Sequence, residues 1–181
     1  MLNFVLVFLA TLSILFAPSV TVNAKNTITA TPSPSPIIKK VNSYELFWPI
    51  TAGRVMSDQL YFLKSLKEQL REMFIFSDIK KAEYNVTLSE KRTVEAEKLF
   101  LINQDYSYGK QSLDVAQAKR EKAQNLLMEA QEKGRNVIDL NNIMVSSFER
   151  QIELLSYIET QVPEEQKSVL SESIDKINSL L

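Results

Sequence analysis

The sequence predicts an all-α protein: an antiparallel bundle of four to five helices behind an N-terminal signal or anchor helix and a Pro-rich linker. Three observations carry that expectation. Gly is scarce, three in 181 residues, well below the ~7% of average proteins, whereas sandwiches and barrels consume Gly in their tight turns. From Ser57 onward apolar residues recur every three or four positions, the period of an amphipathic helix. The gaps between these periodic stretches are short, and short connections make neighbouring helices antiparallel. The length suits one domain with a core that needs no disulfides, and the chain has no Cys.

Taken in order, residues 1–24 read as a signal peptide or N-terminal anchor. Phe4 to Ala17 is an apolar run of 14 residues stopped by Pro18, short for a span of ~30 Å of hydrocarbon. Val22-Asn23-Ala24 supplies the small-x-small pattern cleaved by signal peptidase. Cleavage after Ala24 is the preferred reading, although Met1-Leu2-Asn3 carries no basic residue. The alternative is a retained anchor. Either way the bulk of the chain is exported, and without a Cys after the apolar run it carries no lipoprotein anchor. An exported helical chain free of Cys suggests a bacterial envelope. Residues 25–42 form a Pro/Ser/Thr-rich linker, with Thr-Pro-Ser-Pro-Ser-Pro favouring extended polyproline geometry.

Residues 43–181 are then the helical domain, opened by an aromatic arm at 43–56 that is too aromatic for a linker and too irregular for a helix. The first helix carries the stripe Leu60, Leu63, Leu66, Leu70 and Met73, expected to face the core. Ser77 is placed as the N-cap of a second helix, with Asp78 in its first turn. Its stripe is Ile79, Ala82, Val86, Ser89, Thr93, Ala96 and Phe100. Asn103 to Gly109 reads as a turn. A third helix presents Leu113, Ala116, Ala123, Leu127 and Ala130 and stops at Gly134 in the C′ position. A fourth presents Leu140, Met144, Phe148, Ile152, Leu155, Ile158 and Val162. Pro163 is expected at the first position of a fifth, whose inner face is Val169, Ser173, Ile177 and Leu180. The helical-hairpin arrays with a 34-residue repeat would need Trp and Gly positions that this chain lacks.

The inventory excludes much chemistry. With no His and no Cys there is no imidazole base, thiol pair or usual zinc, haem or iron–sulfur ligation. The scattered Gly53, Gly109 and Gly134 form no phosphate-cradling loop. A net charge of −1 offers nucleic acid no basic stripe. Charge is uneven along the chain: +3 over residues 25–56, +1 over 57–135 and −5 over 136–181.

Three S-x-x-K matches, Ser77/Lys80, Ser107/Lys110 and Ser173/Lys176, have the nucleophile–base spacing of penicillin-binding enzymes. Chance places roughly 1.5 such matches in a chain this rich in Ser and Lys, and the accompanying S-D-N and K-T-G elements are absent. The carboxylates Glu90, Glu95, Glu97, Glu129, Glu132, Glu164 and Glu165 are spaced like solvated helix faces, and no calcium loop occurs. No catalytic residue, cofactor or metal site is expected. The sequon Asn85-Val86-Thr87 falls inside a predicted helix and carries little weight. The most informative group is aromatic: Tyr44, Phe47, Trp48, Tyr61 and Phe62 either close one end of the core, the preferred reading, or form an interaction surface for a partner or a membrane interface.

Asp58, Tyr61 and Lys64, followed by Phe74, Ser77, Asp78, Lys80-Lys81-Ala82-Glu83 and then Glu90-Lys91-Arg92 with Glu95-Ala96, form a signature. Over residues 44–103 it resembles a family of exported bacterial helical domains catalogued as a domain of unknown function. The resemblance implies an export signal or anchor and an all-helical extracytoplasmic domain, and it brings no catalytic residues.

The expected function is therefore a non-catalytic extracytoplasmic helical module, structural or protein-binding, in the cell envelope. Its partner would be an envelope protein, with membrane contact through the N-terminal segment and no nucleic acid. The alternatives are a membrane-anchored sensor or regulator and, more remotely, an envelope enzyme using Ser and Lys.

Overall fold

A computed structural model describes residues 40–181; the expected signal or anchor and nearly all of the Pro-rich linker lie outside the described residues. The described residues are all-α, with no strand among them. The elements are α1 (Ser43–Leu46), α2 (Tyr61–Met73), α3 (Asp78–Glu97), a π-helical segment (Lys98–Asn103) continuing α3, α4 (Tyr106–Glu132), α5 (Ile138–Gln161) and α6 (Glu164–Asn178).

The close backbone packing lies among α3, α4, α5, α6 and the π segment. α3 packs most extensively on α4 and also on α5, while α6 packs on α4 and α5. Small residues make the close approach possible. α3 buries Ala82, Ser89 and Ala96, and α4 buries Ala116, Ala123 and Ala130, each set repeating every seventh residue. Leu140, Met144, Phe148, Leu155 and Ile158 of α5 and Leu170 and Ile177 of α6 complete the interior. Nearly every residue that the periodicity assigns to these stripes is buried or half-buried.

The local signals hold with four differences. The arm, read as too irregular for a helix, opens with one: α1, whose N-cap Asn42 accepts from Tyr44 N at 3.0 Å through its side chain. Gly134 (φ +70°) ends α4 as expected: its N–H bonds Gln131 O at 2.9 Å and the Arg135 N–H bonds Ala130 O at 3.0 Å, the paired closure of a Schellman motif. Ser77 does precede α3, but its hydroxyl makes no capping bond, and Asp78 instead meets Lys133 at 2.8 Å. Pro163 stands one residue earlier than expected, at the N-cap of α6.

The turn after α3 is shorter than Asn103–Gly109. The π segment closes at Gln104, which is left-handed at φ 53°. The Asp105 carboxylate then accepts from Tyr108 N at 3.3 Å, so α4 begins at once and Gly109 is helical. A Cβ on Gly109 would lie 2.8 Å from the Phe100 ring, and Phe100 is buried. Gly109→Ala should therefore lose about 1 kcal/mol in urea unfolding, because overpacking of ~1–3 kcal/mol exceeds the ~1 kcal/mol propensity gain of Ala over Gly.

Candidate functional site

α2 is amphipathic, and the structure turns it the other way round from the sequence expectation. Leu60, Leu63, Leu66, Leu70 and Met73, expected inside, are all exposed, Met73 at 71%. Tyr61, Lys64, Glu68 and Glu72, spaced three or four apart on the opposite face, point inward, with both glutamates buried. α2 has no extended close backbone interface with another helix; long side chains join it to the domain.

Those side chains form an ion cluster with α3. Arg92 of α3, buried, bonds Glu68 through Nη2 and Glu95 through Nη1, the latter at 2.5 Å. Glu95, fully buried, also accepts from Lys64 Nζ and from Tyr61 Oη at 3.1 Å. Lys64 further donates to the carbonyls of Ala52 at 3.1 Å and Arg54 at 2.8 Å, tying in the arm. The Arg92 guanidinium lies 5.3 Å from the Tyr61 ring centroid, within cation–π range. Near the end of α2, Glu72 accepts from Asn85 at 2.7 Å and Lys119 at 3.1 Å and pairs with Lys122 at 2.5 Å. Partners match in reverse order along the two helices, Lys64 with Glu95, Glu68 with Arg92 and Glu72 with Asn85, so α2 and α3 run antiparallel.

The energetics follow from burial. Two carboxylates, Glu68 and Glu95, face the cations Arg92 and Lys64, and Glu68 also meets Lys91 at 4.0 Å at the edge of the cluster. Buried ions are tolerated when paired and hydrogen-bonded, and removing one partner strands the other. Burial works against the Arg92 charge, but the carboxylates of Glu95 and Glu68 outweigh it and raise its pKa. Burial pushes the Glu95 carboxyl above the usual range against the pull of Arg92 and Lys64, and it pushes the Tyr61 phenol up as well, with Glu95 adding to the effect. Glu72 goes the other way: burial opposes its ionisation, yet the bonds from Lys122, Asn85 and Lys119 hold it down at about 2.

A second polar layer crosses the core. Gln151 of α5 uses all four of its hydrogen-bonding positions. Its Nε2 donates to Ser89 and Ser147, both at 3.1 Å, and its Oε1 accepts from Thr93 at 2.9 Å and Arg120 at 2.7 Å. Arg120 is fully buried without a carboxylate partner; burial lowers its pKa to about 10.

No family model matches the chain, and neither curated proteins nor solved structures yield a match. What the domain does is therefore read from its geometry.

The five aromatic residues do not come together as one group. Tyr44 and Trp48 pair edge to face at 4.6 Å, with Trp48 67% exposed. Phe47 is a core residue, its ring 5.8 Å from Arg150. Tyr61 faces the ion cluster, and Phe62 faces solvent with the leucines. Packing is thus the role of Phe47 and Tyr61, while Tyr44, Trp48 and Phe62 remain available at the surface.

The other sequence candidates separate. In the S-x-x-K matches each lysine meets a carboxylate: Lys80 pairs with Glu83 at 2.8 Å, Lys110 with Asp114 at 2.8 Å and Lys176 with Glu172 at 2.7 Å. The pKa of Lys110 is raised by that bond to Asp114, the opposite of what a general base needs. Glu129, Glu132, Glu164 and Glu165 are exposed as expected, but Glu90 and Glu95 are buried, Glu90 beneath Arg150 at 2.8 Å. They are structural ion-pair members rather than a solvated face. Asn85 of the sequon is buried and hydrogen-bonded. Among the described residues no group of carboxylates is placed to hold a metal ion, and no helix is long and apolar enough to cross a membrane.

The depressed pKa of Glu72 gives its pairing a definite pH signature. A carboxyl lowered from 4.5 to about 2 contributes stability above its unfolded pKa and loses it as the pH falls through the folded value. Glu95, being raised, contributes in the opposite sense and is common to wild type and a Glu72→Gln variant. Between pH 4.5 and 2 the urea midpoint of wild type should therefore fall more steeply than that of Glu72→Gln. Parallel curves would show that Glu72 is not held by its three donors.

Proposed function

We propose that the chain is a non-catalytic extracytoplasmic module of the bacterial cell envelope, folded as an antiparallel helical bundle, which binds another envelope component through the outward face of α2. The observation that carries this reading is the inversion of α2. A helix whose leucines served only its own core would turn them inward, yet here the charged face is consumed by the domain and the leucine face is presented. Contiguous apolar surface of this kind on a soluble domain marks an interaction site. The export-type N-terminal segment and the Pro-rich linker support placement outside the cytoplasm on a tether. The absence of His and Cys and the engagement of the motif lysines with carboxylates support a binding role over a catalytic one.

The test is site-specific photocross-linking in the native host. A photoreactive residue at Leu66 or Leu70 should give a discrete adduct by intact mass, while the same residue at exposed Asn141 or Glu149 of α5 should not. Adducts at α5 with none at α2 would overturn the reading.

A further inference from the structure

The docking reading of α2 leaves its occupant open, and the charges and shape around the face narrow it. We infer that the outward face of α2, together with the Phe74–Phe76 tip that follows it, docks on an anionic lipid surface. This rests on the reading of α2 as a docking helix.

Charge is the first argument. Both acidic residues of α2, Glu68 and Glu72, are drawn inside, so the charged groups left exposed on the helix are Lys67 and Arg71. Beside Leu60 and Leu63 runs an open groove between the arm, α2 and α3, bordered by Arg54 and Lys67 and by no carboxylate; Lys64 and Lys91 also line it, but Lys64 is engaged by Glu95 and Lys91 lies 4.0 Å from Glu68. The cationic rim of the apolar face is thus Arg54, Lys67 and Arg71, and Glu83, which lines the cleft beside Arg71, is paired with Lys80. A second copy of the chain would bring like charges against one another across a two-fold axis. An anionic occupant meets no such penalty.

Shape is the second argument, and it separates a bilayer from an acidic protein. Leu60 and Leu63 border the groove, while Leu66, Leu70 and Met73 and the tip beyond them project. Phe74 and Phe76, in the short connection between α2 and α3, stand 74% and 90% exposed. A protein partner must supply fitted pockets for such side chains, whereas a fluid acyl layer accommodates them without one. α2 has 13 residues, about 20 Å at 1.5 Å per residue, too short to span a bilayer and suited to lying in its interface. Apolar burial by leucine and phenylalanine with lysine and arginine at headgroup level is how interfacial helices bind. In this domain the helix is already folded on its ion cluster, so no ordering cost is added on docking.

The Cys-free chain makes the experiment direct. Full-length Leu66→Cys and Phe76→Cys proteins, and Glu149→Cys on α5 as control, carry an environment-sensitive fluorophore and are mixed with vesicles. Both sets carry a quencher on the acyl chains; one is purely zwitterionic and the other contains anionic lipid. The expected result is a blue shift and acyl-chain quenching at positions 66 and 76 with anionic vesicles, and none at 149. Raising salt should weaken it, as should Arg54→Glu/Lys67→Glu, each by about tenfold or more.

Vesicle-bound protein whose labels at 66 and 76 stay unquenched overturns the lipid assignment, because binding then runs through the N-terminal segment. Equal quenching with zwitterionic vesicles overturns the role of the cationic rim. Labels that become dry without lipid as protein concentration rises assign the face to a second copy, and a cross-link from Leu66 to another protein assigns it to that protein. Either result removes the lipid inference while leaving the docking helix in place. Labels that stay wet throughout, with no cross-link at α2, remove both.

Discussion

The arrangement depends on Arg92. Its guanidinium is buried between α2 and α3 and is shared by Glu68 on one helix and Glu95 on the other. A buried cation of this kind must be met by carboxylates, and the carboxylate that α2 can supply lies on its charged face. Meeting that requirement turns the helix so that Tyr61, Lys64, Glu68 and Glu72 look inward. The leucines on the other side then have nowhere to go but outward. The exposed apolar face is therefore a consequence of how α2 is attached.

This attachment differs in kind from the rest of the domain. α3 to α6 meet through alanine, leucine and phenylalanine in close contact, an association that costs several kcal/mol when a large side chain is removed. α2 is joined through directional, charged bonds made by long side chains. Such a joint fixes orientation strongly, since each ion must find its partner, and contributes less net stability than apolar packing of equal size. The Gln151 layer works similarly inside the core: four satisfied hydrogen bonds lock α3, α4 and α5 at one relative height, with Arg120 held at the cost of its desolvation.

The sequence made the all-helical class legible and placed α3 to α6 well, because their apolar stripes are both hydrophobic and buried. Ala82 to Phe100 and Leu113 to Ala130 needed only the helical period to be found. α2 was misassigned because periodicity detects amphipathicity without its direction. Leu63, Leu66, Leu70 and Met73 form as clean a stripe as any core helix presents. The opposing signal was present too: Tyr61, Lys64, Glu68 and Glu72 share one face, and their partners Glu95, Arg92 and Asn85 follow in reverse order on the next helix. Reading it requires pairing two helices at once, which no single-helix pattern does. The buried Gln151 and Arg120 gave no local signal, since a polar residue in a stripe is usually a solvated one. Of the aromatic candidates, Phe47 and Tyr61 separated from Trp48 and Phe62 only through packing, which residue type alone does not encode.

The central claim is that α2 is held by its charged face and not by its leucines. Backbone hydrogen exchange resolved over residues 61–73 tests it most directly, comparing wild type, Leu66→Ser/Leu70→Ser and Arg92→Met. The account predicts that the serine variant keeps wild-type protection in α2 and loses no more than about 0.5 kcal/mol of stability, as exposed sites do. Arg92→Met, which strands Glu68 and Glu95, should release α2 protection and cost about 3 kcal/mol or more, while the core of α4 and α5 stays protected. Loss of α2 protection in the serine variant, with retention in Arg92→Met, would contradict it.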